Sequence, residues 1–217
     1  MVRLIVIATL CATVVDVLWF VLLSRYNRRK GGLILRWVEA ACATRGRVIE
    51  SKWLSRNCLQ AHLSFAAHWF ENARVTIRLL PRPVLIQWLI CVWRRQRETV
   101  TFEADLDDSP AFQLEISRHR WLTQKPKEIS NPRRNWTVSR PGPVVLTTRT
   151  EWTHELTPLV NTLMTSRGHN LLTVRFRPDS PNLSATVPLD ALSDEETAAA
   201  FLSILRDLAA GSSASRH

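Results

Sequence analysis

The sequence predicts an α+β protein, with an N-terminal transmembrane helix followed by one mixed domain of mainly antiparallel strands and two C-terminal helices. Three features predict this class. The chain opens with an apolar run at Leu4–Leu23, several later segments alternate apolar and polar residues as strands do, and Asp194–Ala209 has the apolar period of a helix. Strands and helices mixed in this way are typical of an α+β domain.

The apolar run is long enough to cross a bilayer. As a helix its 20 residues would reach about 30 Å, the thickness of the hydrocarbon layer. Thirteen of the 20 are Leu, Ile, Val or Phe, and their favourable transfer outweighs the cost of one carboxylate, Asp16. The run is longer than the apolar part of a usual signal peptide, and no small-residue cleavage site follows Leu23. We therefore expect a retained single-pass anchor.

The charges on either side of this run predict its orientation. Only Arg3 and the terminal amine precede it, and more cations follow it. The cations that follow are Arg25, Arg28, Arg29 and Lys30. Because basic flanks stay in the cytoplasm, we expect a protein of the cell (inner) membrane with the bulk of its chain cytoplasmic. Asp16 is then either a tolerated carboxylate or a contact to a partner helix.

The same features divide the chain into three regions. Residues 1–31 are the transmembrane anchor with its basic flank, residues 32–210 are the α+β cytoplasmic domain, and residues 211–217 are a disordered tail. No long Gly/Ser linker divides the domain, so we expect one fold rather than two tethered units.

The domain is expected to begin with a separate helix over 33–43, which Gly46 can end. Alternating residues then predict an antiparallel meander of three strands. These are Arg47–Trp53, Leu59–Trp69 and Arg74–Leu79, with turns at 55–57 and 71–72.

The segment Val84–Trp93 has Gln87 as its only polar interruption. As a helix its ten residues would reach about 15 Å, too short to cross a bilayer. Pro83 suits the first position of a helix, and the arginine cluster at 94–97 suits its end. The segment is therefore a helix buried in the core or a helix at the membrane surface, with a buried strand as the third alternative.

Further strands and helices are predicted beyond this segment. The strands are Glu98–Leu106, Ala111–Ser117, Val144–Thr148, Leu171–Phe176 and Leu183–Val187, and the helices are Glu151–Ser166 and Asp194–Ala209. Ser193 is expected to cap the last helix, with Glu196 completing a capping box. Residues 118–142 show no periodicity, which predicts a loop.

Composition and motifs exclude several classes of protein. The chain has 217 residues, a net charge of +10 and 46% apolar residues, which excludes a wholly disordered chain and a polytopic membrane protein. None of the six glycines is spaced as in a phosphate-binding loop, and the four cysteines form no Cys-x-x-Cys pair. We therefore expect no cofactor and no metal site, and no motif predicts an enzyme.

The basic loop 118–140 combines many cations with Trp121 and Trp136. Beside a cytoplasmic leaflet each cation contributes about 1 kcal/mol toward anionic lipid, and Trp favours the interface. With the two basic clusters nearer the anchor, the loop supplies the residues that we expect to contact anionic lipid or another polyanion. These are Arg28, Arg29, Lys30, Arg94, Arg95, Arg97, Arg118, Arg120, Lys125, Lys127, Arg133, Arg134 and Arg140.

The sequence thus favours a membrane-anchored, non-enzymatic scaffold or interaction module at the cytoplasmic membrane face. Its partners would be the lipid bilayer, through residues 4–23, and anionic headgroups. The alternative is a membrane-tethered nucleic-acid-binding protein that uses the loop 118–140, because Arg contacts phosphates and aromatic side chains stack on exposed bases. A solvated basic loop without a ligand is the remaining interpretation.

Overall fold

The computed structural model describes residues 1–43, 46–66, 70–107, 110, 114–118, 136–139, 144–149 and 173–214. The helices in these ranges are α1 (Val2–Cys42), α2 (Leu85–Trp93) and α3 (Glu195–Ala214), with a short 3-10 helix at Leu189–Ala191. The strands are β1 (Gly46–Ser55), β2 (Cys58–Phe65), β3 (Glu71–Arg78), β4 (Thr99–Asp105), β5 (Leu114–Arg118), β6 (Trp136–Ser139), β7 (Val144–Arg149), β8 (Thr173–Phe176) and β9 (Leu183–Pro188).

The strands form one antiparallel sheet in the order β1-β2-β3-β4-β9-β8-β5-β7-β6. The α+β class and the antiparallel meander at its start are confirmed. One strand was missed, because β6 falls in the stretch 118–142 that the sequence predicted as a loop. Four residues are too few to show a period, and their pairing with β7 rather than their own pattern makes them a strand.

One end of the sheet is called the α2 end here, because the chain leaves the sheet there to form α2 and then returns to it. Arg78, the last residue of β3, pairs with Thr99, the first residue of β4, and Thr99 also pairs with Pro188. The turn between β1 and β2 lies at the same end. Because the strands alternate in direction, β5 also finishes there, at Arg118.

The hydrophobic core lies on one face of the sheet, beneath α3 and the second part of α1, which pack against each other. α1 contributes a stripe of buried residues at intervals of three and four, the spacing that places them on one helical face. They are Asn27, Gly31, Ile34, Val38 and Cys42. The largest fully buried side chains of the sheet include Phe102, Phe176 and Ile77.

α1 is continuous through Gly31-Gly32, whereas the sequence predicted a separate helix that begins after this pair. Gly31 is buried, and a Cβ atom on it would come within 2.7 Å of the Trp53 ring. Its missing side chain is therefore used for close packing and not for a break. The apolar run and the domain-packing stripe belong to one helix.

The N-terminal cap of α3 is Asp194, one residue later than the predicted cap, Ser193. The side chain of Asp194, not that of Ser193, accepts a hydrogen bond from the Thr197 backbone N–H at 2.8 Å, and the Thr197 hydroxyl accepts one from the Asp194 N–H. These bonds complete a capping box with Thr197 where Glu196 was expected. α3 extends to Ala214, five residues beyond the predicted end.

Some predictions concern residues outside the described ranges. They are the helix at 151–166, most of the loop 118–140, and the last three residues of the expected tail.

We predict opposite effects of alanine at the two neighbouring glycines of α1. Gly32→Ala should stabilise the fold by about 0.5–1 kcal/mol, because no atom lies within 4 Å of the new Cβ and alanine favours a helix. Gly31→Ala should be less stable than Gly32→Ala by about 1–3 kcal/mol, because the Trp53 ring must move. Urea unfolding in detergent, followed by tryptophan fluorescence, measures both. Equal stability of the two variants would contradict the close contact.

Candidate membrane interface

The first part of α1 is long and apolar enough to cross a membrane, by length and composition. None of the residues in the run Leu4–Leu23 is buried by the rest of the protein. The domain first contacts α1 at the end of this run. The Trp19 indole N–H donates to the Arg82 carbonyl at 3.1 Å, and the Trp19 and Trp88 ring centroids are 6.0 Å apart. The Arg56 guanidinium lies 4.2 Å from the centre of the Phe20 ring.

Two turns further along α1, Asn27 forms the next contact. Its side chain is fully buried, donates to the Leu80 carbonyl at 3.0 Å and accepts from the Arg82 guanidinium at 3.1 Å. Arg82 also lies over the Tyr26 ring, 5.2 Å from its centre. Because a buried amide is costly without partners, these bonds fix the position of residues 80–82 against the helix.

Glu98 joins this segment to α1 a second time. Its carboxylate accepts a hydrogen bond from Lys30 Nζ at 2.6 Å, one from Arg82 Nη1, and one from the Leu80 backbone N–H at 3.1 Å. Burial alone would raise the pKa of Glu98, but the bonds from Lys30, Arg82 and Leu80 outweigh it and hold the pKa below its ordinary value. Glu98 is therefore a charged, almost fully buried link between α1 and the start of β4.

α2 lies between these two links, in the connection from β3 to β4. None of its residues is buried. Ile86 and Trp93 are the most exposed of its apolar side chains, at 70% and 84%. The helix is therefore not part of the core, and the core interpretation of Val84–Trp93 is wrong. A pattern that is apolar on all sides cannot separate burial in protein from contact with lipid, so the sequence left both open.

The C-terminus of α2 is a Schellman motif in which an arginine takes the position usual for glycine. The backbone N–H groups of Arg95 and Gln96 bond to the carbonyls of Val92 and Cys91, which is the Schellman arrangement. Arg95 adopts a φ of 51°, the left-handed conformation that usually belongs to glycine at this position. The chain thus keeps an arginine where glycine would be less strained.

The predicted contact residues fall into four groups. Arg28, Arg29, Arg94, Arg95 and Arg97 are exposed, and no salt bridge within the described ranges involves them. Lys30 is engaged by Glu98 instead. Arg118 ends β5 at the α2 end, and nothing is described of its side chain. Outside the described ranges lie Arg120, Lys125, Lys127, Arg133, Arg134 and Arg140.

Sequence reasoning missed the residues that hold α2 against α1. Lys30 and Glu98 are 68 positions apart, and Trp19 and Arg82 are 63 apart, so no local pattern joins them. The Pro81-Arg82-Pro83 turn was the available signal, because an arginine between two prolines in an apolar stretch needs a partner.

No group of three or more His, Cys, Asp or Glu side chains within the described ranges is arranged to hold a metal ion. No protein-family model matches this sequence, and a search of curated proteins finds no significant relative.

We predict that Glu98→Ala lowers the free energy of unfolding by about 2–3 kcal/mol, because it leaves Lys30 and Arg82 without their shared carboxylate in a mostly buried site. Glu103→Ala is the matched control. Its salt bridge to Arg74 has the same 2.6 Å length, but the two side chains are 39% and 27% exposed against 7% for Glu98, so its loss should cost less than about 1 kcal/mol. Urea unfolding of both variants in detergent measures the difference. Similar losses of unfolding free energy in the two variants would show that the burial of Glu98 does not increase the contribution of its salt bridges to stability.

We also predict that the contribution of Glu98 to the free energy of unfolding depends on pH. Because the pKa of Glu98 is lower in the folded state, its full contribution to the free energy of unfolding is present above pH 4.5, which is the ordinary pKa of the group. This contribution is lost as the pH falls below that value and through the lower pKa of the folded state. The difference in unfolding free energy between the wild type and Glu98→Gln should therefore be constant above about pH 5 and shrink toward pH 3. A difference that grows as the pH falls would contradict this assignment.

Proposed function

We propose that the protein is a single-pass membrane protein whose α+β domain acts without catalysis, as an interaction module held against the cytoplasmic face of the cell (inner) membrane. The observation that carries the proposal is the composition of α1. Its first part is apolar and unburied, and its second part supplies a buried stripe to the domain core. One helix thus joins the lipid to the domain without a linker.

The polar side chains within the apolar run support this proposal. The Thr9 hydroxyl donates to the Ile5 carbonyl at 2.9 Å, and the Thr13 hydroxyl donates to the Thr9 carbonyl at 2.8 Å. Polar groups in hydrocarbon must be satisfied inside the helix, because no water is present. Both threonines therefore suit a helix that is surrounded by lipid.

The distribution of exposed cations supports the cytoplasmic orientation. Arg28 and Arg29 follow the apolar run on α1, and the cluster at 94–97 follows α2 at the same end of the sheet. Cations on this flank favour retention in the cytoplasm and attract anionic headgroups at about 1 kcal/mol each. Lys30 contributes less to this attraction, because its ammonium group is bound to Glu98.

The proposal is tested with the full chain carrying a peptide tag after His217. We predict that the protein stays in the membrane after alkaline carbonate washing, and that protease outside intact cells does not remove the tag. Leu10→Arg with Val14→Arg should release it, because each arginine costs about 2.5–3.5 kcal/mol in the bilayer. Ile49→Arg, at an equally exposed apolar position on β1, is the control and should not release it.

Release of the wild-type protein by carbonate would overturn the membrane span. Removal of the tag by external protease would overturn the cytoplasmic orientation.

A further inference from the structure

We propose that α2 inserts into the boundary between headgroups and acyl chains, in the leaflet from which α1 emerges, so that the domain contacts the membrane at a second point. The inference rests on the proposed function, since the anchor is what brings α2 to the bilayer. The occupant of the α2 surface is lipid, not another protein.

The exposure of α2 is the first argument. Its apolar side chains point away from the protein on more than one side, and Gln87 is the only polar residue among them. Six apolar side chains of α2, and Val84 directly before it, are at least 40% exposed: Val84, Leu85, Ile86, Leu89, Ile90, Val92 and Trp93. A partner protein that receives a helix covers one stripe of it, with anchors at intervals of three and four. Lipid covers every side that the protein leaves free.

The position of α2 along α1 is the second argument. Trp19 contacts Arg82, three residues before the start of α2, and the Trp88 ring in the middle of α2. Trp19 precedes the end of the apolar run at Leu23 by four residues, which corresponds to about 6 Å of helix. Interfacial helices lie about 5–10 Å into the same boundary, and Trp side chains concentrate there. The contact with Trp19 therefore sets α2 at the depth that an interfacial helix occupies.

The cations around α2 are the third argument. Arg94, Arg95 and Arg97 follow the helix and are exposed, and Arg95 is held in a backbone conformation that favours glycine. Arg56 lies over the ring of Phe20, the residue of α1 that follows Trp19. The Arg56 guanidinium thus lies beside the anchor near the end of the apolar run, and the three arginines after α2 directly precede Glu98, which binds Lys30 of the same helix. Guanidinium groups bind phosphates strongly, so both positions suit contact with lipid headgroups.

The links to α1 make this position fixed. Before α2, the Asn27 side chain of α1 bonds to Leu80 and Arg82. After α2, Lys30 of α1 bonds to Glu98, and all of these hydrogen bonds are partly buried. α2 cannot move away from the anchor without breaking them. With α1 in the membrane, these contacts hold α2 beside the end of the apolar run, at the level of the membrane interface.

The test uses a fluorophore whose emission depends on polarity, attached to one cysteine of the full chain in lipid vesicles. The parent variant carries Cys11→Ala, Cys58→Ser and Cys91→Ala. It retains Cys42, which does not react near neutral pH, because burial raises the pKa of its thiol to about 11. The probe is placed at Ile86→Cys, and the matched control is Ile49→Cys. Both isoleucines are exposed, at 70% and 65%, but Ile49 lies on β1, six residues from its α2 end.

We predict blue-shifted emission from the Ile86→Cys probe, with loss of its fluorescence to lipids that carry a nitroxide near the headgroup and no loss to aqueous iodide. The Ile49→Cys probe should show the reverse. An Ile86→Cys probe that iodide quenches would overturn the insertion. So would one that is shielded from both quenchers, because a second copy or another protein region would then cover α2. Failure of the span itself is distinguished by release of the protein from the vesicles in carbonate.

Discussion

The hydrogen bonds of the Glu98 carboxylate are the interactions on which the arrangement of α1, the sheet and α2 depends. This carboxylate binds Lys30 of α1, the Arg82 guanidinium and the Leu80 backbone. The backbone carbonyl of Glu98 also accepts a hydrogen bond from the Leu189 N–H at 2.9 Å. One residue thus connects the helix, the connection that carries α2 and the junction after β9. Two cations around one anion leave the cluster with excess positive charge, which keeps the carboxylate ionised despite its burial.

Such a cluster contributes to geometry more than to net stability. Taking a carboxylate and its cations out of water is costly, and their attraction roughly repays that cost when the hydrogen bonds are well formed. An apolar contact at this place could slide, because the hydrophobic effect has no preferred direction. The bonds to Glu98 and Asn27 specify instead which residues of α1 face the connection and at what height along the helix.

The sequence predicted those elements whose evidence is local. The strands of the meander alternate, the apolar run is uninterrupted, and α3 carries its period in Phe201, Ile204 and Leu205, all buried. The errors occur where distant partners decide. Gly31 and Gly32 look alike in the sequence, but only Gly31 lies against Trp53. Similarly, β6 becomes a strand through β7.

The candidate site was predictable only in part. The cations at 28–29 and 94–97 were singled out from charge alone, and the structure shows that these arginines are exposed. The sequence could not show that Lys30 is paired while Arg28 and Arg29 are exposed. Its partner Glu98 lies 68 positions later in the chain, after α2. The environment of Val84–Trp93 could not be read either, since a core and a bilayer select the same residues.

The uninterrupted length of α1 has a mechanical consequence. Its 41 residues form a single helix of about 60 Å, in which the apolar part and the part that fills the core share one axis. A spanning helix changes its tilt when the hydrocarbon layer becomes thicker or thinner. With no break in the helix between the two parts, a span as proposed would make the sheet rotate through the same angle, so a change in bilayer thickness would change the orientation of the domain.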